Sequence, residues 1–186
     1  MNERGKLLVI SGPSGVGKST VINRLMKKRG NMEFSVSATT RSPRPGEQEG
    51  KDYFFVSRET FDKMVEEGEL LEHATFVGNS YGTPKSQVMQ RLEDGITVVL
   101  DIEVQGAAQV KKAMPEAITV FIAPPSMEAL EQRLRGRGTE TEEKIRGRLE
   151  TARKELELAP NYDYTVVNDV SETAAEEINR ILDGKE

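Results

Sequence analysis

The segment Gly12-Pro13-Ser14-Gly15-Val16-Gly17-Lys18-Ser19 constrains this chain more than any other stretch. It meets the spacing G-x-x-x-x-G-K-[ST] at every required position, with an apolar run before it and an amphipathic stretch after it. Glycines let backbone N–H groups turn inward around phosphate oxygens, and the helix that follows adds the positive end of its dipole. Lys18 then reaches the β- and γ-phosphates of a nucleoside triphosphate, while the Ser19 hydroxyl ligates Mg²⁺. A chance glycine-rich turn meets this pattern about once in a hundred chains of this length. Strand, loop and helix in this order imply an α/β fold.

The rest of the chain agrees. Residues 6–11, 96–101, 117–122 and 164–167 are short apolar runs, as expected of strands buried on both faces. They alternate with helical stretches at 19–29, 103–113, 126–135, 140–158 and 171–182, several of them ended by glycine or proline. Residues 34–94 read differently, with short strand candidates at 34–37, 53–56, 70–76 and 81–83 and one helix near 58–67. The expectation is one domain with a P-loop three-layer core and a central parallel sheet, drawn from residues 1–33, 95–135 and 159–186. Into it are set a mixed or antiparallel lobe, 34–94, and a helical lid, 136–158.

Composition excludes several functions. The chain has no cysteine and His73 is its only histidine, so thiolate and histidine-based zinc sites are ruled out. A bound cation must then be a hard ion on oxygen ligands, which points to Mg²⁺. A net charge of −5 argues against broad binding to nucleic acid or anionic lipid. No apolar run approaches the roughly 18–20 residues that span a bilayer, and Met1 to Lys6 passes straight into a strand with no signal-peptide core. The expectation is a cytoplasmic protein acting on small molecules, without nucleic acid, membrane or an obligatory protein partner.

Asp101 ends the run Val98-Val99-Leu100, where a magnesium-orienting carboxylate belongs, although strand-ending aspartates are also common turn formers. No Asn-Lys-x-Asp motif occurs, which weakens a GTPase reading and leaves a small-metabolite kinase. In Arg41-Ser42-Pro43-Arg44-Pro45-Gly46, two prolines push the preceding residues toward polyproline geometry. At three residues per turn, Arg41 and Arg44 project to one side and form a clamp for a phosphate dianion. Taken alone, the segment also reads as a solvated proline-rich turn. A second cluster runs from Arg133 to Arg148. Within it Glu140/Lys144 and Glu142/Arg146 are ordinary i,i+4 helix pairs. Arg137 and Arg148 lack such partners, and Arg137 lies between Gly136 and Gly138, as in a hinged lid delivering arginines to a triphosphate.

Over almost its whole length the chain resembles guanylate kinases. The resemblance is carried by Ile10 to Gly15, Ser37-Ala38-Thr39-Thr40-Arg41, Arg44-Pro45-Gly46-Glu47 and Gly50-Lys51-Asp52-Tyr53. Further matches are Gly78 to Thr83, Leu100-Asp101-Ile102-Glu103, Ile122 to Ser126 and Arg137-Gly138-Thr139-Glu140. It implies a core, a GMP-binding lobe and a lid that close over ATP and GMP, with reversible Mg²⁺-dependent phosphoryl transfer to GMP or dGMP. By motif position, Gly12 to Ser19, Thr20 and Asn168 would bind ATP, Asn168 near the adenine. Ser37, Arg41, Arg44, Tyr53 and Tyr81 would hold the GMP phosphate, and Glu72, Thr83 and Glu103 would read guanine. Lys18, Arg41, Arg137 and Arg148 would act on the transferring phosphoryl group, and Ser19 and Asp101 would serve the metal. Glu103 stands where the family often has aspartate, so its carboxylate sits on a longer stem.

Guanine chemistry independently favours a carboxylate, because N1–H and N2–H₂ are adjacent donors that adenine cannot reproduce. Glu72, in the apolar run Leu70-Leu71-Glu72-His73-Ala74, suits that role, though by itself it also reads as an outward strand residue. His73 is read as structural. Two alternatives stay open: a non-catalytic guanylate-kinase-like module binding phosphopeptides, and a P-loop kinase for another phosphorylated metabolite.

Overall fold

The structure is a computed structural model that describes residues 3–184; residues 1–2 and 185–186, expected at the edges of the core, lie outside it. In chain order the first elements are β1 (Leu7–Ser11), α1 (Lys18–Lys28), β2 (Met32–Phe34), β3 (Ala38–Thr39) and β4 (Phe54–Phe55). Next come α2 (Arg58–Glu66), β5 (Leu70–Phe76), β6 (Asn79–Pro84), α3 (Lys85–Glu93), β7 (Thr97–Asp101) and α4 (Val104–Ala113). The chain closes with β8 (Ile118–Ala123), α5 (Met127–Gly136), α6 (Glu142–Glu157), β9 (Tyr164–Val167) and α7 (Ser171–Leu182).

Five strands form one parallel sheet in the order β2-β7-β1-β8-β9. The alternation of β1 explains why Leu7 to Ile10 are all apolar. Leu8 and Ile10 pack into a cluster with Val21, Ile22, Leu130 and Ile178, from α1, α5 and α7. Leu7 and Val9 face the opposite way, into a cluster with Val88 and Leu92 of α3 and Ala107 and Val110 of α4. Each such side chain taken fully out of water contributes about 1.5–3 kcal/mol. α1 thus leaves β1 toward one face and α4 leaves the neighbouring β7 toward the other. A crevice opens at the carboxyl ends of these two strands, the position where open α/β sheets bind ligands.

The second sheet has four strands in the order β4-β3-β6-β5. β6 is antiparallel to both β3 and β5, while β3 and β4 are parallel, so the sheet is mixed. The β5–β6 hairpin turns at Val77-Gly78, where Val77 is fully exposed at φ 48°.

Two elements differ from the sequence expectation. α3 was not anticipated: Pro84 at its N-cap makes no side-chain cap bond, and its first turn has no acidic residue. It is held by Val88 and Leu92, which pack on Val98 and Leu100 of β7. The strand expected at 34–37 is replaced by two: β2 ends at Phe34 as an edge of the parallel sheet, residues 35–37 are irregular, and β3 at Ala38–Thr39 enters the second sheet. Three helix starts follow side-chain caps. Ser57, Ser126 and Thr141 accept from the backbone N–H groups of Thr60, Ala129 and Lys144. Among the described residues no helix is long and apolar enough to cross a membrane.

Candidate active site

The loop from Gly12 to Ser19 joins β1 to α1. Gly17 occupies the α1 N-cap at φ 89°, a left-handed conformation that suits glycine. A Cβ at Gly12 would stand 2.5 Å from the Ile122 carbonyl oxygen of β8, so only glycine fits there. Val16 is buried, and its carbonyl is tied down from two sides. The Asn168 Nδ2 donates to it at 2.7 Å and the Arg133 Nη1 at 3.1 Å. Arg133 Nη2 also donates to the Asn168 carbonyl at 2.8 Å. Asn168 is thereby 4% exposed and braced against the loop, with its Oδ1 lacking a hydrogen-bond partner. Sequence reasoning gave Arg133 no task, because its partners are main-chain carbonyls that no motif marks.

A cleft of about 670 Å³ opens over this loop. Gly12 to Gly15 and Gly17 to Thr20 line one wall, without Val16. Glu103, at the N-cap of α4 with its side chain unused for capping, lines another part. Arg137, Arg148 and Glu155 face in from the expected lid. Lys18 Nζ lies 2.8 Å from Asp101 Oδ1, so the loop lysine and the β7 carboxylate are paired. Arg148 spans the cleft: its Nη1 donates to Ser14 Oγ at 2.7 Å and its Nη2 lies 2.6 Å from Glu140 Oε1. The other oxygen of Glu140 is buried without a partner. Burial holds the Glu155 carboxyl above its ordinary range, reinforced by the charge of Glu103 and opposed by Lys18.

These donors fit a magnesium ion. The Ser19 hydroxyl at the helix start and the Asp101 carboxylate are hard oxygen ligands, of the kind that hold Mg²⁺ alongside phosphates and water.

The second sheet builds another set of contacts. Arg41 is a fork on Glu47, with Nη1–Oε2 at 3.0 Å and Nη2–Oε1 at 2.8 Å. Its guanidinium lies 5.2 Å from the Tyr53 ring centroid, and the Tyr53 and Tyr81 rings meet edge-on at 6.1 Å. Glu47 holds Arg41 well above its ordinary pKa, with Tyr81 adding less. In turn Arg41, and after it the Arg44 N–H, hold Glu47 below the usual carboxylate range. Ser37 is half-buried just before β3, its carbonyl accepting from Phe54 N. The Arg44 side chain is exposed, and its backbone N–H donates to Glu47 at 2.7 Å.

Glu72 faces inward. It is 8% exposed, and Thr83 Oγ1 donates to its Oε1 at 2.7 Å. Burial raises its pKa against the opposing effect of the Thr83 bond and the smaller one of His73. Position 106 on α4 is glycine, and a Cβ there would come within 3.1 Å of Glu72 Oε2. Glu72 and Thr83 therefore meet as the resemblance implied, while Gly106 and Glu47 were given no role from sequence. For Glu47 a signal existed, since Pro-Gly two residues earlier marks a reversing turn. For Gly106 there was none.

Comparison with known proteins agrees with this geometry. The family model described as guanylate kinase matches residues 4–185. A guanylate kinase of Streptococcus thermophilus is 53% identical over 100% of this chain and 89% of its own length. One from Lactococcus lactis is 51% identical, covering 100% of this chain and 90% of that protein. Among solved structures, a crystal structure of guanylate kinase from Anaplasma phagocytophilum superposes with a TM-score of 0.71 at 38% identity, covering 98% of this chain and 87% of that one. A phosphate loop alone is common to many nucleotide-binding proteins, but likeness sustained from end to end is not, and by it this chain belongs to the guanylate kinase family.

Proposed function

We propose that this chain transfers the γ-phosphoryl group of ATP to GMP, giving ADP and GDP reversibly, in the cytoplasm. The carrying observation is the buried Glu72 carboxylate, one oxygen held by Thr83 and the other facing Gly106, in a molecule with an intact phosphate loop. Guanine N1–H and N2–H₂ supply the donors that such a desolvated carboxylate lacks, and adenine does not. Thr83 fixes the carboxylate, and Glu103 completes the base reader from the start of α4. Ser37, Arg41, Arg44, Tyr53 and Tyr81 hold the acceptor phosphate. dGMP offers the same base and phosphate to these residues and is an acceptor as well.

The loop amides of Gly12 to Ser19, with Thr20, cradle the ATP phosphates, and Asn168 keeps Val16 in place beside the adenine side. The Ser19 hydroxyl and the Asp101 carboxylate would hold and orient Mg²⁺, which would supply charge neutralisation at the triphosphate. The nucleophile is a phosphate oxygen of GMP, already anionic at neutral pH, so the protein supplies no general base. It orients donor and acceptor in line and stabilises equatorial charge through Lys18, Arg41, Arg137 and Arg148. The core (1–33, 95–135 and 159–186), the acceptor lobe (34–94) and the lid (136–158) close over both nucleotides and exclude water that would hydrolyse ATP. A coupled assay with ATP and GMP, dGMP, AMP, CMP and UMP tests this reading. Turnover with the two guanine nucleotides and little with the others is expected. A preference for another acceptor, or no turnover at all, would overturn it.

A further inference from the structure

Three hydrogen bonds converge on Glu47, yet the mechanism above gives it no part. Its position follows from a turn. Arg44-Pro45-Gly46-Glu47 closes with Glu47 N donating to the Arg44 carbonyl at 3.0 Å, and Gly46 takes φ 90°. Proline second and a positive-φ glycine third are the marks of a type II turn. The reversal folds the Glu47 carboxylate back onto the Arg44 N–H and across to Arg41. Arg41 Nη1 also donates to the Ser42 carbonyl at 2.9 Å. A guanidinium has five N–H donors, and three are engaged here, two on Nη1 and one on Nη2. Glu47 and Ser42 leave the remaining donors unused, and Tyr81 also bonds to the guanidinium from the side of the acceptor site.

We propose that Glu47 is a positioning residue for the acceptor phosphate, fixing the Arg41 fork and the main chain at Arg44 before GMP arrives. The inference rests on the assignment of Arg41 and Arg44 to that phosphate. Its physical content is pre-organisation: a free arginine must surrender rotamer entropy when it binds, and one already forked on a carboxylate has done so during folding. The opposite role, an internal anion that competes with phosphate for Arg41, predicts the reverse sign. Geometry favours positioning, because Glu47 is held by its own turn and takes only two of the five Arg41 donors.

Steady-state kinetics and calorimetric GMP binding on Glu47→Ala, Glu47→Gln, Arg41→Met and Arg41→Met/Glu47→Ala decide the matter, with thermal melts to verify folding. Glu47→Ala is expected to raise KM for GMP roughly three- to tenfold, the cost of ordering one long side chain, and to lower kcat by a smaller factor through Arg41, with KM for ATP nearly unchanged. Glu47→Gln keeps an acceptor for the Arg44 N–H and should lose less; it also answers the question if the alanine variant does not fold. In the Arg41→Met background, Glu47→Ala should cost only about twofold more, the part of its effect that passes through the Arg44 main chain rather than through Arg41. An unchanged or lowered KM for GMP in the Glu47 variants, with Arg41→Met raising it, overturns the inference. An unchanged KM in Arg41→Met instead overturns the clamp assignment, and the inference with it.

Discussion

Glu72 carries a conflict between stability and recognition. Its pKa lies above the ordinary 4.5, chiefly through burial, so the folded chain binds this proton more tightly than the unfolded chain. The stability it contributes is present below pH 4.5 and is lost as pH rises through the folded value. Glu72→Gln removes that loss. Ligand-free melts should therefore show the variant gaining on the wild type as pH rises, and more stable at neutral pH. The same variant should raise KM for GMP by about one to two orders of magnitude and leave KM for ATP near normal. Equal damage to both nucleotides would count against Glu72 as the base reader. Gly106→Ala presses on the same carboxylate from α4. Its Cβ must displace Oε2 by a few tenths of an ångström, raising KM for GMP on the order of tenfold in the same assay. Lys18→Met, which removes charge from the triphosphate, should lower kcat about 10²–10³-fold; near-normal turnover would refute its role.

At the scale of elements, the β5–β6 hairpin stores removable strain. Val77 is a fully exposed β-branched residue at φ 48°, so Val77→Gly should stabilise the fold by about 1 kcal/mol in denaturant titrations without altering kinetics. Elements of this kind also separate what was legible in the sequence from what was not. The phosphate loop could be read directly, because its chemistry depends on neighbouring residues in one strand–loop–helix unit. β1, β7 and β8 were legible because strands covered on both faces are largely apolar, whereas β9, read the same way, is an edge strand with Thr165 and Val167 exposed. α3 was not, since its stability comes from Val88 and Leu92 meeting β7 rather than from a cap or a long amphipathic pattern. The Glu72 pocket is composed from β5, β6 and α4, and the burial of Glu72 is a property of their packing that no single segment records. Glu47 lay between these cases: its turn was visible, but the arginine it would reach was not.

Across the whole molecule, the cleft over the phosphate loop is lined from both the β1–α1 loop and α6. Arg148 reaches Ser14 from α6 through one hydrogen bond, so adding ATP with Mg²⁺ should slow amide exchange across residues 137–148, read by mass spectrometry. Unchanged exchange there would argue against a lid. The sheet order has another consequence, for the timing of assembly. β1 lies between β7 and β8, which begin at Thr97 and Ile118, and Val16 is locked by Asn168 from 152 positions further along the chain. The acceptor sheet, from Ala38 to Pro84, is by contrast contiguous in sequence and needs only short loop closures. During synthesis the second sheet can therefore form while the phosphate loop is still an open coil. A nascent chain that has not yet emerged past Asn168 displays the phosphate motif without the means to hold it in shape, and the capacity to handle ATP is the last property it acquires.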